Sequence, residues 1–247
     1  VAATAQGSRL TDQQRRLQLA LRALTVRDVM QVWQMLDPTA LGSTWPGVET
    51  ALMRIISARR TESALLAARY VAGFRAAELG SSAGAPPVLR PAPVDQGALH
   101  VSLSVTGRST IERLTRSRAQ TPEQAARTAM TRVVGSAGRH VLDGGRSMVD
   151  ETVRADRQAL GHARVTSGGA CAFCKMLAGR GPAYKSERTA GFEAHDNCAC
   201  GVEPVYRRDA PWPPGSERFR REWDAATAGK SGKNALNAYR QSLAGGS

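Results

Sequence analysis

All four cysteines of the chain fall between residues 171 and 200, and their spacing is that of metal ligands. Cys171-Ala172-Phe173-Cys174 is followed, twenty residues later, by His195-Asp196-Asn197-Cys198-Ala199-Cys200, a C-x2-C-x20-H-x2-C-x-C pattern. A C-x2-C turn brings two thiolates to one point, and zinc takes four nitrogen or sulfur donors. The cluster offers five. The ligand set read from spacing is Cys171, Cys174 and His195, with either Cys198 or Cys200 as the fourth. Side chains two apart in an extended segment point to opposite faces, which predicts that only one of that pair reaches the ion. The surrounding segment, Arg164 to Tyr206, is glycine-rich, loop-like and poor in apolar residues. A structural zinc ion would supply the missing folding free energy, on the order of 10 kcal/mol.

The same residues could serve other chemistry. Disulfides suit secreted chains, and Val1 to Gly7 is small and polar with no apolar core of a secretion signal. A redox C-x-x-C opens a helix after a strand in a βαβ unit, a context the sequence does not suggest. Cys174 and His195 could form a nucleophile–base pair, but paired cysteines with a histidine fit metal ligation better. Catalytic zinc would need a general base, and only Glu193 and Asp196 stand close in sequence.

The remaining motifs are weaker. Lys185-Ser186 ends a glycine-containing loop, but Tyr184 stands where a phosphate-binding loop needs glycine; Gly229-Lys230-Ser231 lacks its first glycine at Asp224. His100, Ser102 and Ser104 share one face of a predicted strand about 7 Å apart, too far for a nucleophile–base hydrogen bond. His140 and His162 stand alone. No catalytic residue is assigned.

These residues need a scaffold, and the pattern predicts a mainly α fold. It comprises long N-terminal helices, a helix-rich middle with a short β element, and a small C-terminal zinc-knuckle-like module. A helical region spans 1–80, with a capping box at Thr11–Gln14, a stop at Asp37-Pro38, Trp45-Pro46-Gly47 in the connection and Gly80 as the terminator. A Pro/Gly/Ser-rich linker follows over 81–97. Residues 98–160 read as a strand at Leu99–Val105, where Leu and Val alternate with polar residues, followed by arginine-rich helices. Thr121-Pro122-Glu123 starts one of these, and Gly144-Gly145 interrupts it. The Cys/His module covers 161–210 and a basic tail 211–247, with a short helix near Ser216 to Ala226.

The chain has 247 residues, 34 Lys and Arg against 21 Asp and Glu, and a net charge of +13. Such an excess is drawn to polyanions, while no apolar run approaches the roughly 20 residues of a membrane helix. The arginines are diffuse, and no recognition helix or aromatic-interleaved basic stretch occurs, which argues for nonspecific phosphate contact.

The order Arg164-Val165, Ala170 to Tyr184 around the C-x-x-C, His195 to Cys200, then Glu203-Pro204-Val205-Tyr206 resembles the phage Mu F-like minor head proteins, in the version carried by phages of actinobacteria. His195, Asn197, Cys198 and Cys200 match that family's second element; Asp196 and Ala199 depart from its common residues. The resemblance is specific over about residues 160–206. It implies a minor capsid, or head morphogenesis, protein of a tailed bacteriophage, located in the virion inside the capsid near the portal and assembled in the host cytoplasm. The implied partners are the portal protein, the major capsid or scaffold protein and packaged double-stranded DNA, without membrane integration. The implied role is structural and not enzymatic; the alternative is a capsid maturation protease or a metal-dependent hydrolase.

Overall fold

The computed structural model describes residues 2–166, 169–184 and 194–245. Lys185, Ser186 and Glu193 lie outside the described residues. The protein is mainly helical, with a small antiparallel sheet and a Cys-rich cluster toward the C-terminal end.

Three long helices form the body. Helix α1 (Ala5–Trp33) and α2 (Leu41–Leu79) are connected by the turn after Trp33, where Asp37 accepts hydrogen bonds from the Thr39 amide and hydroxyl. Helix α1 starts earlier than the capping-box reading predicts. Thr4 is the N-cap, accepting from the Gly7 amide at 2.9 Å, and the Thr11 hydroxyl instead shares a 2.9 Å hydrogen bond with Tyr70. Trp45 and Pro46 belong to α2, not to the connection. Pro46 is exposed and near the helix start, so its missing N–H forfeits a hydrogen bond without breaking the helix. Gly80, at φ 60°, ends α2 as expected.

Leu99–Val105 is helical, which corrects the strand expectation. Helix α3 (Gln96–Thr106) is N-capped by Asp95, whose side chain accepts from the Ala98 amide. The alternating Leu-x-Val pattern fits both periods. Burial separates them: Leu99 and Leu103, one turn apart, are 0% exposed, while Val101 and Val105 are 59% exposed. A short helix, α4 (Arg108–Arg116), leads to α5 (Pro122–Ala155), which starts where Thr121-Pro122-Glu123 predicts and is fixed there by a capping box between Thr121 and Gln124.

Gly144 and Gly145 do not interrupt α5. They let it cross the other helices closely: a Cβ on Gly144 would strike the Arg60 carbonyl of α2, and the Gly145 amide donates to Ser63 Oγ at 2.9 Å. One apolar core joins α1 to α5 around Trp45, Leu52, Leu99 and Val133.

The β element lies later than predicted. Strand β1 (Gly161–Val165) is central, pairing antiparallel with β2 (Ala183–Tyr184) and with β3 (Gly201–Val205) in the register Ala163 opposite Glu203. A second core seats Val202 and Tyr206 against Tyr70, Phe74 and Val149, so the sheet packs onto the bodies of α2 and α5. Across this seam, Arg75 and Asp156 form a buried ion pair at 2.7 Å, and the Tyr206 hydroxyl donates to Asp156 at 3.1 Å. Between the strands lies α6 (Ala172–Ala178). Helices α7 (Ser216–Thr227) and α8 (Gly232–Gly245) pack together through Trp223 and Tyr239, whose rings meet edge-on at 5.4 Å, and both touch α6. The segment beyond Gly229, read as a tail, is thus mostly helix.

Candidate metal centre

Cys171 is the N-cap residue of α6, and Cys174 lies one turn on, so both sulfurs reach the same side of the helix start. The segment from His195 to Cys200 supplies the other donors. Its turn depends on Asn197, at φ 65°, in the left-handed region that Asn tolerates better than most residues.

All five donors are brought together, in two overlapping groups that share Cys174. Cys171, Cys174 and His195 form one; Cys174, Cys198 and Cys200 form the other; within each, the ligand atoms lie within 4.8 Å of one another. His195 Nε2 is 2.9 Å from Cys171 Sγ and 3.5 Å from Cys174 Sγ, and the sulfurs of Cys174 and Cys198 are 3.5 Å apart. Tetrahedral zinc with Zn–S near 2.3 Å would set sulfur ligands about 3.8 Å apart. Each group of three has spacing near that of such an ion, but among the described residues no four donors lie within 4.8 Å of one another, so four-coordination requires the two groups to close around Cys174. Either group could hold a metal. Cys174, Cys198 and Cys200 are buried and Cys171 is exposed.

The opposite-face argument for Cys198 and Cys200 does not hold, since the sulfurs of both lie within 4.8 Å of Cys174 and of each other. Their backbone is held by a residue that spacing arguments missed. Arg146 of α5 is buried; its Nη2 donates to the carbonyls of Cys198 at 2.8 Å and Cys200 at 3.0 Å, and its Nε donates to Cys200 at 3.1 Å. Asp143 holds the remaining side of the guanidinium at 2.7 Å.

The same face of α5 continues the grip. Arg139 pairs with Asp196 at 2.7 Å, and the Gly135 carbonyl accepts from the Asn197 amide at 3.4 Å. A Cβ at Gly135 would meet the Asn197 side chain. Positions 135, 139, 143 and 146 recur at helical spacing, so this stripe was present in the sequence as a periodic pattern without an apolar residue in it.

The electrostatics favour one thiolate, on Cys198. Arg164 of β1, also buried, places Nη1 3.8 Å from Cys174 Sγ. Hydrogen bonds from the thiols of Cys174 and Cys200, joined by the Arg146 charge, hold the Cys198 thiol well below its usual value despite burial. Cys174, donating to that thiolate and itself buried, is shifted upward. Three thiolates, an imidazole and a divalent ion would carry one net negative charge, which two buried guanidiniums can offset.

The other sequence candidates stay apart from this centre. His100 Nδ1 and Ser104 Oγ both approach Glu49 Oε1, at 2.9 and 3.1 Å, so the carboxylate separates histidine from serine. Ser102 is 2.6 Å from Ser136 Oγ. His140 is buried, and burial together with Arg139 pushes its imidazole down to about 4. His162 faces Asp150 at 3.4 Å. No helix among the described residues is long and apolar enough to cross a membrane.

The model of the VG15 protein family matches residues 5–226, from the first residue of α1 into α7, and so includes both halves of the cluster and the Arg146 stripe. The chain belongs to the VG15 protein family. No curated protein and no solved structure matched it. In this VG15 chain, the match leaves α8 outside and spans every residue that holds the Cys/His centre.

Proposed function

We propose that this VG15 protein is a minor capsid component of a tailed bacteriophage, a head morphogenesis protein bound at the portal and inner capsid wall, in which the Cys/His centre holds one structural zinc ion. The observation that carries the reading is the clamped cluster. Its donors sit in the segment that resembles the Mu F-like minor head proteins, and its backbone is fixed to helix α5 by Arg146. A site whose backbone is clamped by a buried arginine, with five protein donors for four positions, suits an ion that stabilises a fold. An open catalytic site keeps one position for water.

The protease or hydrolase alternative has less support. Ser102 and Ser104 have partners other than histidine, as above. The zinc would link α6 to the His195–Cys200 segment and, through Arg146, to the helical body. The portal protein, the major capsid or scaffold protein and packaged DNA are the proposed partners, and the virion interior the proposed location.

Co-expression with portal and major capsid proteins, followed by purification of the assembled heads, tests this reading. The expected result is the protein in the heads at a small fixed copy number, with normal capsid-protein processing when Cys174→Ala is used. Absence from heads, or loss of processing with Ser102→Ala, would overturn it.

A further inference from the structure

The +13 charge is not spread evenly over the surface. From Arg113 to Arg132 the chain carries five arginines and a single acid, Glu123, a net +4 in twenty residues. These arginines occupy the last turn of α4, the turn to α5 and the first three turns of α5. All five are exposed, and among the described residues no ion pair or hydrogen bond engages the guanidinium of Arg113, Arg116, Arg118, Arg127 or Arg132, with Glu123 one turn from Arg127 as the one acid that feels this charge. Elsewhere many arginines are paired with acids, among them Arg59 with Asp28, Arg75 with Asp156, Arg139 with Asp196, Arg146 with Asp143 and Arg154 with Asp150, and the unpaired ones are more scattered along the chain.

The turn is built rather than loose. Its backbone bonds back to α4 through Ala119 N to Leu114 O at 3.2 Å, Arg118 adopts φ 54°, and the Thr121 capping box fixes the start of α5. A left-handed arginine held between two helix ends presents its side chain outward from a rigid corner.

We infer that this corner, centred on Arg113, Arg116, Arg118 and Arg127, is a binding surface for the phosphate backbone of double-stranded DNA. Phosphate contacts by arginine position a protein on DNA without reading sequence, in line with the lack of any recognition element. Single-stranded nucleic acid is disfavoured because residues 108–132 contain no aromatic side chain on which bases could stack. A membrane surface is disfavoured because the large apolar residues here, Ile111, Leu114 and Met130, pack into the core, leaving none to insert between lipids. The choice of DNA as the natural polyanion rests on the virion reading; the surface itself rests on the unpaired arginines.

The test uses the full chain and random-sequence duplex DNA, with Kd measured from 50 to 300 mM salt. Each arginine that contacts a phosphate adds about 0.9 to the slope of log K against log salt. The triple variant Arg116→Gln/Arg118→Gln/Arg127→Gln is expected to lower that slope by about 2–3 and weaken binding at least tenfold at 150 mM salt. The charge-matched control Arg90→Gln/Arg180→Gln/Arg221→Gln, at exposed arginines elsewhere, should change it far less. Circular dichroism checks that both variants stay folded. Equal losses in the two triples would mean diffuse attraction and overturn the surface. Binding to anionic phosphatidylserine vesicles but not to DNA would overturn it as well. DNA binding through this corner by a protein absent from phage heads would leave the surface standing and remove the virion reading.

Discussion

The guanidinium of Arg146 reaches the carbonyl oxygen of Cys200 twice, from Nη2 at 3.0 Å and from Nε at 3.1 Å, with Nη2 also donating to the Cys198 carbonyl at 2.8 Å. One buried cation on a long helix thus sets the backbone of two metal-ligand candidates. Both carbonyls lie where charge-assisted bonds are strongest, away from water.

Arg146→Met should therefore damage the centre more than an ordinary buried substitution. It removes the donors and leaves the carbonyls of Cys198 and Cys200 without those bonds, at a cost of about 2–4 kcal/mol. Zinc affinity should fall roughly 10–100-fold, the usual effect of losing a residue that orients ligands. Chelator competition and thermal melts measure both. Arg146→Lys should restore little, since an ammonium lacks the planar fork. Zinc affinity unchanged in Arg146→Met would separate the arginine from the centre.

The helix crossing gives a second test. Gly144→Ala places a Cβ against the Arg60 carbonyl, and the expected loss is about 1–3 kcal/mol by chemical denaturation. Gly47 of α2 has open space around it, so Gly47→Ala should add roughly 0.5–1 kcal/mol through helix propensity. Equal effects from the two substitutions would contradict the close approach of α5 to α2.

The buried pair of Arg75 and Asp156 ties α2 to the segment after α5. Burial opposes the charge on Asp156, but hydrogen bonds from Arg75, the Gln158 amide and Tyr206 outweigh it and hold the carboxyl below its ordinary 3.8. Asp156→Ala strands a buried guanidinium and should cost about 3–5 kcal/mol at pH 7. Because the folded value is depressed, the contribution is present above pH 3.8 and is lost as pH falls through the folded value. The gap between wild type and Asp156→Ala should accordingly narrow below that point; a gap independent of pH would contradict the pair.

Glu203 of β3 behaves in the opposite sense. Burial, with Glu78 nearby, pushes its carboxyl up to about 7 from 4.5, despite a hydrogen bond from Thr11, and its Oε1 has no partner among the described residues. The raised value means that the neutral form suits the fold. Its contribution is fully present below pH 4.5 and is lost as pH rises toward 7, on the order of 3 kcal/mol in all. Glu203→Gln should remove that decline, so the variant should gain on wild type steadily from pH 4.5 to 7. A constant difference across this window would show that Glu203 stays ionised.

Much of this architecture was legible in the residues. The Cys/His cluster, the helix start at Thr121-Pro122 and the Gly80 terminator follow from local chemistry that tertiary packing did not override. Three features were not legible, each for a physical reason. Leu99 to Val105 satisfies a period of two and of 3.6 equally, and only the Asp95 cap pointed to a helix. The strands at Gly161–Val165 and Gly201–Val205 are buried on both faces, so they show no alternation. Gly144-Gly145 reads as a break because a close helix crossing leaves no trace in one sequence. In the centre, spacing found the five donors but not the Arg146 stripe that holds them, since a polar helical periodicity resembles a solvated face.

Metal content of the purified full-length chain tests the central claim most directly. One zinc per chain by elemental analysis, released in step with loss of near-ultraviolet and thermal stability when a strong chelator is added, and reduced in Cys174→Ser, is the expected result. A metal-free, fully folded chain, or one whose four sulfurs pair as disulfides, would contradict it.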